Sequence, residues 1–184
     1  MASTGFSLGV REKLCLWPAL PIAIDGVELN RYHKPFEKHV DRIVAVLEHR
    51  NRVCQISFTC LPLTLFPTFI EMMQESFPAL THLYLNSEAE SPMLHSDSFL
   101  GGSVPHLRSI TLVGIPFPSL PTLLLTSKDL VELYLWRVPN SGYIPPAAMA
   151  TCLSSLTRLE NLKLNLDPQS SPNRSSQLPF FFFF

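Results

Sequence analysis

Charge and glycine are both scarce in this 184-residue chain, and what is missing narrows its chemistry. Charged residues make up 16% of the sequence, with 14 Lys and Arg against 15 Asp and Glu, for a formal net charge of -1. There is no basic excess to hold a phosphate backbone or an anionic membrane surface, so neither nucleic acid nor membrane is an expected partner. No apolar run approaches the roughly 18 or more consecutive residues that a membrane helix requires. The segment from Leu14 to Ile24 is apolar, but Pro18, Pro21 and the lack of a positive residue before Arg11 argue against a signal peptide. An intracellular protein, cytoplasmic or nuclear, is expected. The four cysteines (Cys15, Cys54, Cys60 and Cys152) form no Cys-x-x-Cys pair, and reduced thiols follow from that setting. The six histidines make no His-x-x-x-His pair, and the 7 glycines build no phosphate-cradling loop. No metal, cofactor or catalytic residue is expected, and the chain reads as non-enzymatic.

What the sequence does have is rhythm. The pattern apolar-x-x-apolar-x-apolar recurs as Val53, Ile56, Phe58; Leu80, Leu83, Leu85; Leu107, Ile110, Leu112; Leu130, Leu133, Leu135; and Leu159, Leu162, Leu164. The motifs begin at 53, 80, 107, 130 and 159, so the steps are 27, 27, 23 and 29 residues. Leucine-rich repeats have periods of about 20 to 29 residues. In each motif the last two apolar residues are two apart and leave the same face of an extended strand. One unit cannot bury that face alone. Parallel stacking of neighbours would join the faces into one elongated core. The expected fold is therefore α/β: a leucine-rich-repeat solenoid with a short curved parallel sheet and helices or loops on its convex side.

The segments between motifs supply the return path. Val40, Ile43, Val44 and Leu47 follow helical spacing and predict a helix within Phe36–Arg50. Leu65, Phe69, Met72, Met73 and Phe77 predict another within Thr64–Phe77. The returns Pro118–Ser127 and Pro145–Ser155 open on proline, which suits helix N-termini or irregular turns. Asn86–Pro105 reads as loop. At the start, Trp17, Leu20 and Ile22 repeat the apolar rhythm, and Pro21 assigns that strand to an edge where it caps the stack. Three regions result: an unassigned tail over 1–13, the repeat domain over 14–166, and a Pro/Ser-rich tail over 167–184. That last tail is expected to be disordered and ends in five phenylalanines.

Strand parity then names a candidate surface. If the leucines face the core, the residues between them face out on the concave side. The candidate binding face is His82, Tyr84, Asn86, Thr111, Glu132, Tyr134, Trp136 and Lys163, with Tyr and Trp as anchors of the kind enriched at binding hot spots. A protein or peptide is the expected partner. A small hydrolase using Cys54 or Cys152 with a histidine, and a truncated gene fragment without independent function, are the alternatives.

Several runs carry a family resemblance: Leu16-Trp17-Pro18-Ala19-Leu20-Pro21-Ile22, Pro35-Phe36-Glu37, Arg52-Val53-Cys54-Gln55-Ile56, Phe77-Pro78-Ala79-Leu80-Thr81-His82-Leu83, Phe99-Leu100-Gly101-Gly102, Gly114-Ile115-Pro116-Phe117-Pro118 and Ser141-Gly142-Tyr143-Ile144-Pro145. Over about residues 14–166 the chain resembles the repeat region of basidiomycete fungal F-box proteins. The resemblance implies a ubiquitin-ligase adaptor, in which a helical F-box docks a ligase scaffold and the repeats hold a substrate. The Leu-Pro pairs at 20–21, 61–62, 120–121 and 178–179 lack the Glu that follows in an F-box. A scaffold partner is therefore expected only where a longer chain supplies that box.

Overall fold

The computed structural model describes residue 14 and residues 20–26, 37–59, 66–87, 98–117, 119–166 and 181–183. Within them, six strands run parallel and in chain order: β1 (Ile22–Asp25), β2 (Val53–Phe58), β3 (His82–Asn86), β4 (Ser109–Val113), β5 (Glu132–Val138) and β6 (Asn161–Leu166). A three-residue β7 (Phe181–Phe183) then pairs antiparallel with β6. Each parallel strand sits beside the one before it.

The register follows from the apolar spacing. Ile24, Ile56, Leu83, Ile110, Leu133 and Leu162 are paired from strand to strand. Two residues on, Phe58, Leu85, Leu112, Leu135 and Leu164 form a second row on the same face. A one-residue slip would turn a whole strand's leucines to solvent, so the pattern fixes the pairing. At the entrances of β2 to β5 the first residue of the motif closes the core, with Val53, Leu80, Leu107 and Leu130 fully buried, whereas Leu159 before β6 is only partly buried. There the backbone repeats one bond per unit: Thr81 N–H donates to the Cys54 carbonyl, Arg108 to Thr81, Val131 to Arg108 and Glu160 to Val131, all at 2.8–2.9 Å.

Among the described residues, four helices cover the inner face: α1 (Glu37–Leu47), α2 (Phe66–Met72), α3 (Leu120–Thr126) and α4 (Pro146–Ser155). Leu47, Phe69, Leu120, Leu123, Leu124 and Cys152 carry them onto the sheet's apolar rows. Phe58 and Phe69 meet edge to face at 4.8 Å, tying β2 to α2. Prolines open α3 and α4 in their first turns, where the missing N–H breaks no helical bond. The helix expected within 64–77 is shorter than its apolar spacing suggests. It stops at Met72, and residues 73–77 continue as turn and irregular chain before Pro78.

Elsewhere the structure departs from expectation. The N-terminal strand is offset by four residues from the Trp17-Leu20-Ile22 rhythm: Ile24 rather than Leu20 stands beside Ile56, Ile22 pairs with Val53, and Leu20 is 56% exposed. Pro21 explains the shift, because it stands just outside β1 and costs no ladder bond there. The expected loop over 86–105 contains a short helical turn, Phe99–Gly102, with Leu100 and Gly101 at φ of 56° and 67°; residues 88–97 lie outside the described residues. Of the tail expected to be disordered over 167–184, residues 181–183 are strand and the rest lies outside the described residues.

Candidate functional site

The face of the sheet turned away from the helices carries the alternate residues, and the register sets them in rows. Gln55, His82, Ser109, Glu132 and Asn161 form one row. The next holds Asp25, Ser57, Tyr84, Thr111, Tyr134 and Lys163. A third, shorter row runs from Asn86 through Val113 to Trp136. All eight residues singled out from the sequence lie on this face. Against the buried leucines of the opposite face, these side chains are half-buried or exposed, Trp136 being 40% exposed.

Neighbouring strands preorganise several of them. Ser109 Oγ donates to Glu132 Oε2 at 3.0 Å, which holds the carboxylate across the β4–β5 boundary. Lys163 Nζ lies 4.7 Å from the centre of the Tyr134 ring, a cation–π pairing that fixes both long side chains. Thr81 Oγ1 donates to the Cys54 carbonyl and sits 2.8 Å from His82 Nδ1. Tyr134 and Trp136 are two apart on β5 and form one aromatic patch. Tyr84 does not join it directly. It stands two strands away, about 10 Å by strand spacing, with the smaller Thr111 between.

Sequence reading did not reveal the bulge that ends β5. The pairing with β6 shifts between Leu135 and Val138, and Arg137 adopts φ 53°, a left-handed conformation unusual for a side chain of its kind. As a result Trp136 and Arg137 are both exposed, one after the other. No local motif of Gly or Asn marks the turn.

Of the four cysteines, Cys54 and Cys152 lie among the described residues. Cys152 Sγ is buried on α4 beside the Pro121 carbonyl at 3.4 Å, and burial pushes its pKa up, the reverse of an activated thiolate. Cys54 Sγ points to the Ile22 carbonyl at 3.4 Å. Among the described residues, no three His, Cys, Asp or Glu side chains converge as metal ligands, and no helix is long and apolar enough to cross a membrane. One Gly-x-Ser-x-Gly spacing does occur, Gly5-Phe6-Ser7-Leu8-Gly9, outside the described residues. A nucleophile elbow requires a strand before it and a helix after it, and neither is seen there in the sequence pattern.

Comparison with family models, curated proteins and solved structures found no match to the chain.

Proposed function

We propose that this chain is a leucine-rich-repeat module that binds a protein or peptide on the open face of its sheet and performs no chemistry of its own. One observation carries the proposal: the two faces of the same six strands are sorted, continuous leucine rows on one and interlocked polar and aromatic rows on the other. Burial alone accounts for the first face. Nothing in folding demands that Trp136 stand 40% exposed, with Tyr134 and Tyr84 half-buried, on the second.

Tyr134 and Trp136 serve as the anchors, since rigid aromatic side chains bury much area at low entropic cost. Lys163 gives the patch a cationic rim, and Glu132 with His82 offers hydrogen bonds along the adjoining row. The resemblance to F-box proteins makes a protein delivered for ubiquitination the partner class to try first.

The test is a selection of displayed random peptides on the purified chain, followed by affinity measurement on the selected peptides. Replacing Tyr134 and Trp136 together by Ala is expected to weaken binding by at least about tenfold, the size of a hot-spot loss, with the urea midpoint unchanged. Equal affinity for the wild type and a folded double variant would place binding elsewhere.

A further inference from the structure

The two ends of the parallel sheet are protected differently. At β1 the edge strand has four residues, and Pro21 stands at its entrance. Arg52 reaches back over this end, donating from Nε to the Leu20 carbonyl at 2.9 Å and from a terminal nitrogen to the Leu14 carbonyl at 3.1 Å. Short strands and prolines are standard defences against edge-to-edge pairing.

At β6 the strand is neither short nor interrupted by proline, and Lys163 is its one charged residue. The strand is six residues long, Asn161-Leu162-Lys163-Leu164-Asn165-Leu166, alternates regularly, and contains no proline. The core also thins there: Leu159 and Leu164 are only partly buried, whereas their counterparts Leu130 and Leu135 are sealed from solvent. A strand of this kind presents a row of backbone donors and acceptors to any extended chain. In the structure that row is met by Phe181–Phe183, running antiparallel with Asn161 against Phe183, Leu162 against Phe182 and Lys163 against Phe181.

We propose that the β6 edge is a strand-accepting site and that the chain's own residues 181–183 occupy it, closing the sheet in cis and keeping it from pairing with a second copy. The segment supplies backbone groups to the first half of β6 and leaves Leu164–Leu166 beyond the register. Recognition is through the main chain, so the occupant needs an extended backbone with free N–H groups more than any one side chain. The proposal rests on the strand pairing and is independent of what the open face binds.

Two full-length variants test it, one with Phe181, Phe182 and Phe183 all replaced by Pro and one with all three replaced by Tyr. Proline removes the N–H groups and tyrosine keeps them. Residue-resolved amide exchange and sedimentation velocity are the readouts, with the amides of Leu133 and Leu135 in β5 reporting an intact fold. In the proline variant, the amides of β6 facing the tail are expected to exchange at least ~10-fold faster, and self-association is expected to rise with concentration. The tyrosine variant should match the wild type. A synthetic peptide of residues 178–184 with added lysines for solubility should restore protection to the proline variant. Unchanged β6 exchange in the proline variant, or less self-association than the wild type, would overturn the proposal, because the phenylalanines would then be acting only as a sticky appendage.

Discussion

At the scale of single residues, backbone conformation decides more than side-chain identity. Gly114 follows β4 at φ 67°, its N–H donates to the Trp136 carbonyl at 2.8 Å, and a Cβ there would collide with the carbonyl oxygen of Ser87. Arg137 occupies the same region of backbone space without glycine's freedom. The two positions give opposite expectations. Gly114→Ala should lower stability by more than about 1–2 kcal/mol, combining left-handed strain with the clash, whereas Arg137→Gly should hold or raise it by relieving up to about 1 kcal/mol of strain. Urea unfolding of both variants checks the pair. Cys152 supplies a third expectation. Its thiol is buried under α3 and its pKa is raised by desolvation, so the folded state holds the proton more tightly than the unfolded chain. The stability this lends is fully present below the ordinary thiol pKa and is lost as pH climbs through the folded value. Alkylation at pH 8 followed by peptide mapping should therefore label the half-buried Cys54 well before Cys152, with the order disappearing in urea.

At the scale of elements, each strand's contribution depends on how many neighbours it has. Leu133 lies between Ile110 and Leu162 in the buried row and is fully sealed; Leu162 is 6% exposed, next to the thin end of the core. Leu133→Ala should cost about 2–5 kcal/mol and Leu162→Ala distinctly less, since a site near an edge relaxes more readily around a cavity. Equal losses in chemical denaturation would contradict a core that thins toward β6. Ion pairs between units add little by comparison. Arg158 and His106 both reach Asp129, at 2.7 and 3.6 Å, linking the turns before β4, β5 and β6, but these groups lie substantially in solvent and such pairs are worth about 0–1 kcal/mol. The strands from β2 to β6 were legible in the sequence because their apolar spacing has a physical cause: a parallel sheet with one covered face admits only that period. What was not legible had weaker local causes. Leu20 fits the rhythm yet stands in solvent, because Pro21 displaces the strand start. The bulge at Trp136 and Arg137 carries no turn residue to announce it, and β7 depends on an edge far away in sequence, which no local pattern encodes.

At the scale of the whole molecule, six strands in chain order share one interior, and the unequal steps between motifs are absorbed by the returns. The short step before β5 passes through the compact α3, and the longer step before β6 carries the β5 bulge, a helical turn at Asn140–Gly142 and α4. The strands themselves stay in register throughout. That is why the candidate face could be named by parity alone for Tyr84, Thr111, Tyr134 and Lys163, while the bulge at Arg137 was missed. Both the sorted faces and the proposed binding surface depend on this continuous pairing. The most direct measurement is a methyl–methyl NOE spectrum of the protein labelled on Ile and Leu. The pairing predicts a single connected path, Ile56 to Leu83 to Ile110 to Leu133 to Leu162, with no cross-peak that skips a strand near at hand. Strong cross-peaks joining Ile56 to Leu133 or Leu83 to Leu162, in the absence of those between sequential partners, would contradict it.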